Sequence, residues 1–354
     1  MKIGILTHHT VVNFGAFWQA FALQEAVKRL YPEATVEIIN YIDLKHFSIN
    51  LAGWFLSPGN RRKISEWSNT YALPFTLKRF RKKYMNLSPL CFTVNAINKL
   101  NYDSIIIGSD EVWNYDDWKT ANSVKFGLGL TCKNIISYAP SAANTNIEHI
   151  PEEIKNGLKK FSHISARDEK TAILAEQATG KKVTRVLDPT FLGEIKTEKN
   201  PFLPECDYIL FYYCQNLPDK VLNQIKEYAK KYGLKILGAG ENTYEYEQCT
   251  VNMTPFQWAE MFRHAKFVFT GTFHGAVFSI LNKIPFKVYL TNPGRVEKVV
   301  ALLSFLNIKN REIDNDYIFD LSKEINGIDY AKIYETIAVK RQESLAYLKD
   351  ALKI

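Results

Sequence analysis

Two hydrophobic rhythms alternate along this chain. Short apolar runs, continuous enough for strands covered on both faces, occur at residues 2–7, 36–39, 104–108, 135–138, 163–166 and 183–186. Between them apolar residues return at helical spacing. Phe17, Ala20, Phe21, Leu23, Gln24 and Val27 mark a helix from Gly15 to about Leu30, and further helices are expected at 95–100, 152–161 and 169–179. Strand and helix in alternation predict a parallel α/β sheet. The rhythm stops over Leu192–Cys206, which carries Gly193, Pro201 and Pro204 and reads as a linker. A second set begins at Tyr208, with strands at 208–213, 235–238, 266–270 and 286–290 and helices at 219–232, 255–264 and 275–282. A long amphipathic helix at about 330–352 closes the pattern.

The expected fold is therefore α/β, with two Rossmann-like, doubly wound domains facing a cleft. The first covers 1–195 and the second 206–325, with helix 330–354 packing back on the first. In such sheets ligands bind beyond the carboxyl ends of the strands, close to helix N-termini.

Composition narrows the class. With 354 residues, 46% hydrophobic and 23% charged, the chain is ordinary globular material, neither disordered nor collagen-like. Cys91, Cys132, Cys206, Cys214 and Cys249 make no CxxC pair and no zinc spacing, which predicts free thiols in a reducing compartment and no metal. The first residues read as a buried strand rather than a signal segment, and no apolar run spans a bilayer, so a soluble cytoplasmic protein is expected.

Charge is distributed unevenly. Residues 44–90 hold nine basic side chains and one acid, Glu66, while the rest of the chain is balanced. The same stretch carries Trp54, Phe55 and Leu56, then Leu77, Phe80, Tyr84 and Met85 among Lys78, Arg79, Arg81, Lys82 and Lys83. This predicts a short basic amphipathic helix. It either packs its apolar stripe on its own domain or lies on an anionic membrane surface. No motif supports nucleic acid as a partner.

Four loops concentrate chemistry. Thr7–Ala16, with His8, Asn13 and Gly15, joins a strand to a helix; it either receives an anion or is a turn capped by Asn13. Gly108–Asn114 carries Ser109, Asp110, Glu111 and Trp113. Its carboxylates suit a base or a sugar hydroxyl and Trp113 a sugar ring, or else Ser109 or Asp110 caps a short helix. Arg167, ahead of Asp168 and Glu169, either holds a carboxylate or phosphate or makes a surface ion pair. Phe269–Ala276 brings Thr270, Thr272 and His274 to a helix start, where the dipole disfavours the imidazolium cation. His163 and His264 sit in apolar patterns and read as core or core-edge residues.

Taken in order, Asn13–Ala16 with Gln19–Gln24, Gly108–Asn114, Ser137–Ser141, Ser165–Asp168, Leu187–Pro189 and Thr270–Gly275 resemble the polysaccharide pyruvyl transferase family, over about residues 2–310. The resemblance implies a GT-B-like fold and transfer of the pyruvyl unit of phosphoenolpyruvate (PEP) to a sugar as a ketal, without a further cofactor. It places His274 on the family's His and Arg167 on the Arg of its first-domain motif; the chemistry then suits His274 as the acid or as a stabiliser of the phosphate, Asp110 or Glu111 as the base, and Arg167 as a ligand of PEP. Ser141, Thr270, Thr272 and His8 fall on the same loops. Thr272 stands where well-studied members carry Arg, and Arg295, after the next strand, is the candidate replacement. The acceptor would be a saccharide, free or lipid-linked at the inner membrane face. Two rivals remain: a GT-B glycosyltransferase using a nucleotide sugar, although the second domain lacks a Glu-x7-Glu pair, and a non-catalytic saccharide-binding protein.

Overall fold

The structure is a computed structural model that describes residues 1–57, 63–119, 121–214, 216–243, 246–291, 293–325 and 327–353. Arg61, Arg62 and Asn292 lie outside the described residues. The chain forms two compact units, each a Rossmann-like α/β layer structure. Unit 1 comprises Met1–Ala52, Arg81–Glu194 and Ile337–Ile354; unit 2 comprises Gly53–Phe80 and Ile195–Thr336.

Unit 1 opens with β1 (Lys2–Leu6), α1 (Phe14–Leu30) and β2 (Thr35–Ile38), followed by α2 (Leu44–Leu56) and α3 (Trp67–Tyr84), which both cross the unit boundary. It continues through α4 (Val94–Asn98), β3 (Ser104–Ile107), β4 (Asn134–Ser137), α5 (Glu152–Leu158), β5 (Ser165–Ala166), α6 (Glu169–Thr179) and β6 (Thr184–Arg185). The strands pair in parallel in the order β2-β1-β3-β4, with β5 and β6 as a two-stranded parallel companion. β3 is buried at all four positions, which is why its sequence is a bare Ser-Ile-Ile-Ile run. The order reverses between β1 and β3.

Unit 2 contains β7 (Tyr208–Tyr212), α7 (Asp219–Tyr232), β8 (Lys235–Ala239), β9 (Gln248–Thr250), α8 (Pro255–Arg263), β10 (Phe267–Thr270), α9 (Phe273–Leu281), β11 (Phe286–Val288), α10 (Pro293–Phe305) and α11 (Leu321–Ile325). Its parallel sheet runs β11-β10-β7-β8-β9. The chain fills one side of β7 and then crosses to the other, so the reversal lies between β7 and β10. α12 (Tyr330–Ala351) gives its first residues to unit 2 and the rest to unit 1. In unit 1 it is fastened to the sheet side: the Tyr347 hydroxyl donates to the carbonyl of Ser137 at 2.9 Å, and the Leu187 amide donates to Ser344 Oγ at 3.0 Å.

The basic segment differs from the expectation of an insertion wholly in the first domain. Residues 53–80 belong to unit 2. The reason is their bonding: Thr76 Oγ1 donates to Asn252 Oδ1 at 2.7 Å, the Lys63 amide donates to Asn242 Oδ1 at 3.0 Å, and Phe80 meets Phe256 edge-on at 4.8 Å. Among the described residues no helix is long and apolar enough to cross a membrane.

Candidate active site

Each sheet places its order reversal where doubly wound folds bind ligands, outside the carboxyl ends of the flanking strands. In unit 1 those ends lead into the loops carrying His8 and Asp110; in unit 2 they lead into the loops carrying Tyr213 and His274.

The loop after β1 is pinned from below. Gln19, buried in α1, donates to Thr7 Oγ1 at 3.0 Å and accepts from Ser109 Oγ at 2.6 Å, which ties the β1 and β3 loops together. Ser109 is thus wholly buried and structural. Asn13 caps α1, its Oδ1 accepting from the Ala16 amide at 3.0 Å, and Gly15 is buried in the first turn. Asp110 sits at φ 73, a left-handed conformation that Asp tolerates better than most residues, and its carbonyl accepts from the Ser141 amide at 2.8 Å.

Asp110 also belongs to a buried ionic group. Arg167 Nη1 lies 3.0 Å from Asp188 Oδ2, and Nη2 lies 3.6 Å from Asp110 Oδ1. Burial alone would weaken the guanidinium's hold on its proton, but Asp110, Asp188 and Asp168 outweigh it and leave Arg167 more basic than usual. Asp168 caps α6 and accepts from Ser141 Oγ at 2.7 Å, so the Ser141 hydroxyl is used inside the protein. Arg167 therefore faces carboxylates of its own chain, with the ends of β3, β5 and β6 gathered around it.

A second cluster at this reversal carries no sequence motif. Lys125 is buried, with Nζ 3.2 Å from His8 Nδ1, while His8 Nε2 lies 3.2 Å from the carbonyl oxygen of Glu111. The His46 ring meets His8 edge-on at 4.8 Å. Burial, then Lys125 and His46, hold His8 well below its ordinary pKa; burial pushes Lys125 down to about 8 and His46 down to about 4. Arg81, also buried and pushed down to about 10, approaches the Val11 carbonyl at 3.5 Å. The only trace of Lys125 in the sequence is one cation inside an otherwise apolar Val124–Phe126 step.

In unit 2 the loop from β10 to α9 is a compact hydroxyl turn. Thr270 Oγ1 donates to the Tyr212 carbonyl at 2.8 Å, and Thr272 caps α9, its Oγ1 accepting from the Gly275 amide at 3.0 Å. Gly275 is required by close approach: a Cβ there would stand 2.1 Å from Thr270 Oγ1. His274 occupies the second helical position. Arg295, in the first turn of α10, sets its guanidinium carbon 5.5 Å from the Tyr213 ring centre. Burial, then Glu241, raise the Tyr213 hydroxyl well above its ordinary value, with Arg295 opposing. Glu241 is itself buried and accepts from the Tyr246 hydroxyl at 2.9 Å. Tyr213, Glu241 and Arg295 thus form one group, of which only Arg295 stood out in the sequence.

Two expectations are corrected. Trp113 offers no face to a sugar: it is fully buried, stacked on Phe126 and edge-on to Phe161, with its Nε1 donating to the Lys125 carbonyl at 2.9 Å. His163 and His264 are exposed rather than core residues; His163 makes a parallel bridge to Ile136 just before β5, and His264 caps the end of α8 and pairs with Glu260 at 2.8 Å. Among the described residues no group of His, Cys, Asp and Glu has the geometry to hold a metal ion.

Comparison with solved structures finds distant resemblances. A UDP-GlcNAc 2-epimerase from Methanocaldococcus jannaschii is 12% identical at a TM-score of 0.49, covering 96% of this chain and 92% of that one. The E. coli heptosyltransferase WaaC is 13% identical at 0.42, covering 96% and 100%. A Thermobaculum terrenum O-GlcNAc transferase is 10% identical at 0.45, covering 99% of this chain and 66% of its own, just under two thirds. Comparison with curated proteins gives no match. The sequence itself matches the polysaccharide pyruvyl transferase family over residues 13–293, most of the chain, and on that match the chain belongs to the polysaccharide pyruvyl transferase family.

Proposed function

We propose that the protein transfers the pyruvyl unit of PEP to two hydroxyls of a saccharide, forming a ketal and releasing phosphate. The observation that carries this reading is the family match, whose span of 13–293 takes in the loops that carry Asp110, Arg167 and His274. The reaction balances with the groups present. A proton goes to the PEP methylene carbon, leaving an oxocarbenium-like centre at C2. A sugar hydroxyl adds there and gives up its proton. Phosphate then departs with the C–O electron pair, and the second hydroxyl closes the ketal as its proton passes to that phosphate.

His274 is our candidate for the proton to the methylene carbon. Arg295 and the positive end of α9 suit the donor's phosphate and carboxylate. Asp110 is favoured over Glu111 as the base. Its carboxylate is held by Arg167 at 3.6 Å, whereas what Glu111 brings to the cluster is its main-chain carbonyl, on His8. Arg167 then acts through Asp110 as a positioning residue rather than by touching the donor. The acceptor would be a saccharide of a polysaccharide precursor, lipid-linked at the inner membrane face.

Calorimetry tests this. PEP is titrated beside UDP-, GDP- and CMP-sugars into wild type and Arg295→Gln. The expected result is PEP binding that weakens about 10–100-fold in the variant, the range for lost charge-assisted hydrogen bonds. Binding of a nucleotide sugar with none of PEP would overturn pyruvyl transfer in favour of glycosyl transfer.

A further inference from the structure

The helix α3 has two faces of different character. Thr70, Leu73, Leu77, Phe80 and Arg81 form its buried stripe. At 100° per residue the opposite arc reads, in angular order, Trp67, Lys78, Tyr71, Lys82, Phe75, Ser68, Arg79, Ala72 and Lys83, within about 160°. No acidic residue occurs anywhere in Trp67–Tyr84. On this arc Phe75 is 61% exposed and Trp67 37%; just upstream Ile64 is 73% exposed and Leu56 63%. Lys78, Arg79, Lys82 and Lys83 are all exposed.

Part of the outer arc packs within the protein, since Trp67 and Tyr71 lie 6.4 Å apart and Tyr71 meets Phe55 at 5.3 Å, but Phe75 and the four cations stay in water. An exposed ring such as Phe75 beside four exposed cations, on a helix that holds no acid, marks a contact surface. We propose that this outer face of α3 docks the protein on an anionic lipid bilayer. The ring side chains would enter the headgroup boundary and the four cations would meet lipid phosphates. The two kinds share one arc, rings in the N-terminal half of the helix and cations in the C-terminal half, and that pairing favours lipid. A nucleic acid would offer phosphates but no continuous apolar layer, and an acidic protein would need ordered carboxylates opposite each cation. The docking needs neither PEP nor a saccharide, so it stands apart from the pyruvyl-transfer reading.

The test is sedimentation of the full chain with vesicles of phosphatidylglycerol and phosphatidylcholine in equal parts, and with phosphatidylcholine alone, in the absence of substrates. Binding should be confined to the anionic vesicles and should fall steeply from about 0.1 to about 1 M salt, as the Debye length shrinks from ~10 to ~3 Å. Lys78→Gln with Lys82→Gln should weaken it about thirtyfold, about fivefold for each surface cation. Phe75→Ser should weaken it at any salt concentration, and the blue shift of tryptophan fluorescence on binding should shrink in Trp67→Phe. All four positions are solvent-facing, so the variants keep the fold, which circular dichroism verifies. Equal binding to neutral and anionic vesicles overturns the proposal, as does wild-type affinity in the double variant. Binding of an oligonucleotide, or of an acidic polypeptide, in the absence of vesicle binding reassigns the face to that partner.

Discussion

Lys125 sets its ammonium 3.2 Å from Nδ1 of His8, and the other ring nitrogen of His8 lies 3.2 Å from the carbonyl oxygen of Glu111. The same ammonium stands 3.3 Å from Nε2, so both ring nitrogens of His8 lie beside a cation that opposes protonation of the ring. Lys125 also accepts the Trp113 indole N–H on its own carbonyl. One buried lysine thus braces the loop that carries Asp110 on two sides.

That bracing is directly measurable. In Lys125→Met the His8 pKa should rise, because a neighbouring cation that opposes protonation is gone while burial stays. In wild type the His8 ring resonances should respond near pH 8 as Lys125 loses its proton, and in the variant that response should vanish. Nitrogen NMR of the imidazole reads both effects. An unchanged His8 titration in Lys125→Met would remove Lys125 from this role.

Arg167→Ala should be strongly destabilising. It strands Asp188, whose side chain is fully buried, together with Asp110. Removing one partner of a buried pair costs about 3–5 kcal/mol. Urea unfolding should show this as a large drop in midpoint, and Arg167→Lys should recover only part of it. Loss of ligand binding in Arg167→Ala would therefore report the fold as much as the ligand, which is why Arg295 is the better binding probe.

Thr272 is a helix cap before it is anything else. Thr272→Ala should cost about 1 kcal/mol through the lost bond to the Gly275 amide, and Thr272→Ser should cost little. Thr272→Arg should pay the same cost, since Arg offers no side-chain acceptor to that amide. Thermal melts of the three variants order them. Equal stability of the Ala and Ser variants would show that the cap contributes nothing.

Acid should weaken the fold between about pH 6.5 and pH 4. His9 is buried and its pKa is pushed down to about 4, first by burial, so in that window the unfolded chain binds a proton that the folded chain does not. Stability therefore falls as pH falls, by about 3 kcal/mol at 1.36 kcal/mol per unit for this one group. His9→Gln should flatten the slope of stability against pH in this range while keeping an acceptor or donor near Asn40, which His9 Nε2 meets at 3.2 Å.

The strand–helix alternation was legible because strands covered on both faces must be apolar throughout, as Ile105–Ile107 shows. Short or disguised elements were not. β9 is three residues, Gln-Cys-Thr, without a period to detect. α3 was visible only in its last turns, because Ser68-Asn69-Thr70 and an internal Pro74 mask eighteen residues of helix. At the site, loops at strand ends were found by their polar density. What a side chain faces was not: Trp113 and Ser109 look available in sequence, yet both are buried by residues far along the chain. Lys125 reaches His8 across 117 positions, a relation that no local pattern encodes.

The tie between α12 and the first sheet bears on the order in which the protein takes shape as it is made. Domains generally fold from the N-terminal end during synthesis. Here the Ser137 carbonyl and the Leu187 amide find their partners on Tyr347 and Ser344. A ribosome must therefore add more than 140 residues after Glu194 before unit 1 receives its last segment, Ile337–Ile354. Until then the first sheet waits with part of its surface bare, and the second unit, apart from residues 53–80, is translated within that interval.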